Sequence, residues 1–191
     1  MTKIVSAKPD AIITGNWGAD MVSLARAITE AGITVPVYTY YAAFDGITAT
    51  LGASGKGQFR MVHEGHFNPP PTQAYADYVR TFKAKYPEQD ISYPRVINTV
   101  QMLAKAIEKA GSADPMAVAF ALEGMEHTSI GGERLMMRAE DHQLFQPIQI
   151  SVHTDENIEF DGDNSGFGLL TEVSIALENT MLPTSCEMRR P

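Results

Sequence analysis

Residues 11–41, AIITGNWGADMVSLARAITEAGITVPVYTYY, decide the fold. The stretch opens on Ala11, Ile12, Ile13 and Thr14, an apolar run too short for a helix and carrying a β-branched pair, which predicts a buried strand. Residues 18–32 follow with Met21, Leu24, Ala25 and Ile28 on one helical face. Gly32 falls just past the helix end, where a left-handed backbone suits a residue without Cβ. VPVYTYY, residues 35–41, is the next strand. Strand, helix and strand in succession make a βαβ unit, so an α/β fold with a parallel sheet is expected.

Downstream, the glycine-rich LGASGKGQ (51–58) leads into FRMVHEGHF (59–67), a third strand candidate that ends in NPPP. Three successive prolines fit neither a helix interior nor a central strand, so residues 68–71 mark a boundary, read as a crossing between two lobes. Beyond it the periodicity becomes helical. Tyr75, Tyr78, Val79, Phe82 and Tyr86 form one stripe, and Val96, Ile97, Val100, Ala104 and Ile107 form another; Asp114-Pro115 supplies an N-cap and first-turn pair for a third helix. These helices have no strands of their own up to about residue 130 and are expected to pack on something else. LMMR (135–138), FQPIQISV (145–152) and TEVSIAL (171–177) return to strand-like patterning, interrupted by the turn-rich DGDNSGFG (161–168).

Composition narrows the function. With 44% hydrophobic residues and 20% charged, the chain is globular, and its formal charge of -8 with scattered Lys and Arg offers no basic patch, so no nucleic-acid partner is expected. No apolar run near residue 1 has the length of a signal-peptide core, so the sequence as it stands is expected to lack an export signal. The single Cys186 has no internal partner with which to form a disulfide.

Three motifs suggest chemistry that their contexts argue against. Residues 161–172 match the spacing of an EF-hand loop, with Asp161, Asp163 and Ser165 as ligands, Gly166 at the turn and Glu172 last. Gly168 stands where an apolar residue normally pairs such loops, and the flanks read as strands, so turn chemistry is the expected explanation and a calcium module the alternative. His63 and His66 lie three apart beside prolines, whereas a zinc helix needs histidines four apart. Asp141-His142 lacks an activated nucleophile. No catalytic residue, metal site or cofactor is therefore expected.

What remains is two loops. In open α/β sheets ligands lie beyond the carboxyl ends of parallel strands, and the two such ends here carry GNWGAD (15–20) and YTYYAAFD (38–45). Trp17, Tyr40 and Tyr41 offer apolar walls and hydroxyls, and Gly15 and Gly18 let backbone N–H groups approach a carboxylate. Asp20 or Asp45 could face an ammonium.

The same stretches carry a family resemblance. PDAIITGNWGADMVSLARAITEAGITVPVYT (9–39) resembles the second-lobe βαβ segment of type I periplasmic solute-binding proteins, the leucine/isoleucine/valine-binding family of ABC-transporter receptors. KAIEKAGSADPMAVAFALEG (105–124) is similar to that family's late helix pair, RAEDHQLFQPIQISV (138–152) to its return to the second lobe, and PTSCEMRRP (183–191) to tails of one subgroup. The resemblance implies a partial fold of the periplasmic binding protein type I kind. Residues 1–67 would belong to lobe two, residues 68–134 to the helical flank of lobe one after a proline-rich hinge, and residues 135–191 would cross back and form the tail. It also implies a small amino-acid-like ligand, an ABC permease as partner and a periplasmic setting, with a sensory region of the same fold as the alternative. Carried over by position, Trp17 matches an aromatic ligand contact, with Asn16, Gly18 and Asp20 around it. Tyr40, Tyr41, Ala42 and Asp45 fall where an acidic residue usually meets the ligand ammonium, although this chain has Tyr-Tyr-Ala there. Tyr93 to Arg95 falls near a position where the family often supplies an aromatic from lobe one. Without the first lobe, the flanking helices would leave apolar stripes exposed, a surface for self-association.

Overall fold

The structure is a computed structural model and describes residues 1–41, 46–66, 68, 72–87, 89 and 94–189. After a short helix α1 (Thr2–Ala7) come β1 (Ile12–Thr14), α2 (Gly18–Glu30), β2 (Val37–Thr39), α3 (Ile47–Leu51) with a 3-10 turn, and β3 (Phe59–His63). β1, β2 and β3 are parallel, with Thr14 opposite Thr39 and Thr39 opposite Met61, as the βαβ pattern predicts. α2 ends as the sequence anticipates. Gly32 sits at φ 64°, and the amides of Gly32 and Ile33 donate to the carbonyls of Thr29 and Ile28, closing the last turn.

Met21, Ala25 and Ile28 of α2 are buried with Val37, Ile47, Leu51 and Phe59 in one apolar cluster. Burying each large side chain contributes about 1.5–3 kcal/mol before the cost of ordering it. Such a cluster gives α2 a stability its own backbone hydrogen bonds would not supply.

The predicted helices follow as α4 (Gln73–Lys85), α5 (Pro94–Ala110) and α6 (Pro115–Leu122). Thr72 accepts the amide of Tyr75 at 3.2 Å to cap α4, and Asp114 accepts that of Ala117 at 3.0 Å to cap α6. Met102 and Ala106 of α5 pack on Val118 and Ala121 of α6.

Two expectations need correction. The helical section does carry a strand before residue 130: β4 (Glu126–Thr128) joins β5 (Arg134–Met137), anticipated at 135–138, and β6 (Leu144–Phe145) in a small antiparallel sheet, and Met137 and Leu144 pack against the α5–α6 cluster. Strands this short leave almost no alternation to read. The strand expected to be buried is also half open. The larger sheet runs β1-β2-β3 and then takes β7 (Ile148–Thr154) and β8 (Gly168–Ile175) antiparallel, which leaves β1 at an edge with Ile13 80% exposed. A short α7 (Leu177–Thr180) and an extended tail with exposed Cys186 complete the chain. No helix among the described residues is long and apolar enough to cross a membrane.

Candidate functional site

The register that sets Thr14 opposite Thr39 brings the two strand ends from which the candidate loops start side by side at the carboxyl edge of the sheet. Both strands end in the same device. The Thr14 hydroxyl accepts the amide of Asn16 at 3.2 Å and donates to its side-chain oxygen at 2.5 Å, and the Thr39 hydroxyl accepts the amide of Tyr41 at 3.2 Å. Each turn is thereby fixed by its own strand, leaving the next side chains free to face outward. Trp17, the N-cap residue of α2, is 70% exposed, and Tyr40 is 52% exposed.

Gly18 opens α2 at φ 51°, in the left-handed region where a side chain would be strained. Asp20 lies exposed in the first helical turn, where a carboxylate also complements the helix dipole. Tyr41 turns inward, half-buried against Met61 and Leu169 and edge-on to Tyr40 at 6.5 Å. Ala42, Asp45 and Tyr93, also expected near a ligand, lie outside the described residues, as do the three prolines of the expected hinge.

Beside Tyr40 and Tyr41 opens a cavity of about 410 Å³, bordered by Gln143 and Gln146 and floored by a buried polar group that sequence reasoning passed over. Glu64, whose side chain is only 6% exposed, pairs with the Nε of Arg95 at 2.9 Å. His63 sits against both. Its Nδ1 lies 2.7 Å from the Gly65 carbonyl, so that nitrogen carries the proton and Nε2 accepts from Arg95 at 3.0 Å. Burial lowers the His63 pKa despite the neighbouring Glu64, consistent with this neutral form. The nearby His66 is pushed down to about 4 by burial and by His63; its Nδ1 accepts the Asn68 amide and its Nε2 donates to Thr171. Sequence reading tested the HEGH stretch only for metal-ligand spacing. Nothing local signals that Glu64 will meet Arg95 on a distant helix.

The EF-hand-like residues occupy the β7–β8 connection. Asp163 accepts from the amides of Gly46 and Ala49 and from the Thr48 hydroxyl, so its carboxylate caps α3. Asp161 accepts the amides of Asp163 and Gly166, which shapes the turn. Glu172 lies on β8 and is held by two guanidinium nitrogens of Arg60, at 2.7 and 3.1 Å. Asp141 is likewise clamped by Arg138, which holds its carboxyl well below the usual range, while His142 faces Glu123 at 3.4 Å.

The sequence profile of the periplasmic binding protein family matches residues 1–155, and the chain belongs to that family. A Leu/Ile/Val-binding protein homolog 4 from Brucella melitensis is 24% identical over 201 residues, covering all of this chain and 47% of the relative. The chain thus spans about half the length of the curated relatives it matches. Among solved structures, the closed leucine-, isoleucine-, valine-, threonine- and alanine-binding protein from Brucella ovis superposes with a TM-score of 0.87 at 22% identity, over 100% of this chain and 50% of that one. A leucine-binding protein from Thermotoga maritima gives 0.70 at 17% identity, over 93% and 48%. The fold is therefore that of a type I periplasmic binding protein, of which this chain makes up about half.

Proposed function

We propose that the chain forms part of the solute-binding component of an ABC transporter for branched-chain or related amino acids or similar small solutes, working in the periplasm with a membrane permease. One observation carries this reading: two neighbouring parallel strands end side by side at the carboxyl edge of the sheet, with Trp17 and Tyr40 just beyond them presented to solvent. In this reading Asn16, Trp17, Gly18 and Asp20, with Tyr40, Tyr41, Ala42 and Asp45, form one wall of the ligand cleft. The facing wall belongs to the remainder of lobe one, whose helical flank is residues 68–134.

The helical section supports the same picture. Val96, Val100, Leu103 and Ile107 line the outer face of α5 at 55%, 60%, 45% and 38% exposure, a stripe suited to packing against the remainder of lobe one. In isolation the stripe is a surface for self-association. Light scattering should report concentration-dependent oligomers of the 191-residue chain, and Val100→Lys with Leu103→Lys should restore the monomer.

A single wall implies weak binding, on the order of millimolar or about -4 kcal/mol. Nitrogen-15 NMR during titration with leucine, isoleucine, valine, threonine and alanine should move the amides of residues 15–20 and 40–46 and leave those of α5 in place. Shifts that map elsewhere, or none at tens of millimolar solute, would overturn the reading.

A further inference from the structure

A second, much smaller cavity of about 20 Å³ lies where the sheet meets the helical section. Glu64, His66 and Gln149 reach it from the sheet side, and Tyr75, Asn98 and Glu133 from the helical side. Tyr75 is only 4% exposed, and its buried hydroxyl has no hydrogen-bond partner among the described residues. A phenol proton shut away from water without an acceptor is costly enough that native proteins rarely leave one so. Burial raises the pKa of this hydroxyl, with Glu133 and Glu64 among the groups adding to the effect, so both carboxylates lie within its electrostatic reach.

We propose that this cavity is a binding site for a single water molecule, which accepts from the Tyr75 hydroxyl and donates to the carboxylates of Glu64 and Glu133. The volume suits one guest of that size, since a buried water needs about 10–15 Å³ and two to four polar partners. Chemistry excludes the other small guests. An anion would meet two carboxylates, an apolar atom would leave every polar group unanswered, and a cation accepts no hydrogen bond, so the Tyr75 proton would stay unpaired. The Glu133 carboxyl is already raised by burial and relieved in part by the Ser129 hydroxyl at 3.2 Å, so it gains from a neutral donor.

A water in this position bridges the two sections without fixing their separation. It can exchange partners as they shift against each other, where a direct hydrogen bond of fixed length would break. The inference rests on the junction alone and stands whether or not the carboxyl edge binds a solute.

Tyr75→Phe in the full chain keeps the ring and removes only the hydroxyl. If a water links it to the carboxylates, the unfolding constant measured in urea should rise by about fivefold. If the cavity is dry, deleting an unpartnered hydroxyl should lower that constant, which overturns the proposal. Water-to-amide cross-relaxation should independently show a long-lived water near the amides of Gly65 and Gly131, and its absence would also overturn it. Melting in sodium, potassium or choline chloride at equal ionic strength should be the same, whereas stabilisation by one metal ion would replace the water with a cation.

Discussion

Residues 15–20 and residues 161–166 are both short, polar and rich in glycine and aspartate, yet the fold uses them in opposite ways. In the second segment, on the β7–β8 connection, the acidic groups turn inward: Asp163 caps α3 and Asp161 closes its own turn. In the first, the turn is fixed by Thr14 on β1, which leaves the Trp17 ring and the Asp20 carboxylate facing solvent. Similar composition therefore says little about function. What sets the proposed recognition loop apart from the structural one is that its Trp17 and Asp20 side chains face solvent.

The contrast can be broken or sharpened by experiment, starting with the largest effect. His66 is fully engaged, like Asp163, and should be sensitive to conditions that remove its partners. Its folded pKa of about 4 lies below the unfolded value of 6.5, so its contribution is complete above pH 6.5 and is lost as the pH falls toward 4. The loss amounts to about 3 kcal/mol. Urea unfolding at pH 7, 5.5 and 4 should show a steeper decline for the native chain than for His66→Gln, and equal slopes would refute this. Next, Asp163→Ala should cost about 2 kcal/mol by unpairing two amides and a hydroxyl of α3, while Asp20→Ala should stay within about 0.5 kcal/mol. Comparable losses at the two sites would erase the distinction between the loops.

Trp17→Ala should change stability by less than about 0.5 kcal/mol, because the ring is largely exposed, yet abolish the solute-dependent NMR shifts of residues 15–20. Should the shifts persist, the aromatic wall is not where solute lies. Smallest of all is the response to calcium. Melting curves in millimolar calcium and in chelator should coincide, since the oxygens of Asp163 are already occupied and Glu172 is held by Arg60; a stabilisation that grows with calcium concentration would assign the loop to a metal.

Much of the sheet section was legible because its signals are local. The apolar face of α2, the left-handed Gly32 and the Asp114 cap each depend on residues within a few positions of one another, so the sequence states them directly. The edge position of β1 was not legible. Ile12 and Ile13 would look the same in a central strand, and only the strand order shows that β1 has no neighbour on one side among the described residues. β4 and β6 escaped notice because two or three residues cannot display a period. The Glu64–Arg95 pair and the Tyr75 cavity are tertiary facts. They arise from chain segments brought together by the packing of α4 and α5, and each residue alone reads as ordinary surface or core.

The open side of β1 has a kinetic consequence. Among the described residues no strand pairs with the outer side of β1, so in the 191-residue chain its amide protons should exchange with solvent well ahead of those of β3, which is paired on both sides. Opening of the sheet would then begin at β1, next to the loop that carries Trp17, while β3 and β7, each paired on both sides, stay closed. In hydrogen-exchange terms the proposed recognition edge lies beside an early-exchanging strand, and any molecule that settles there should slow the exchange of β1 first.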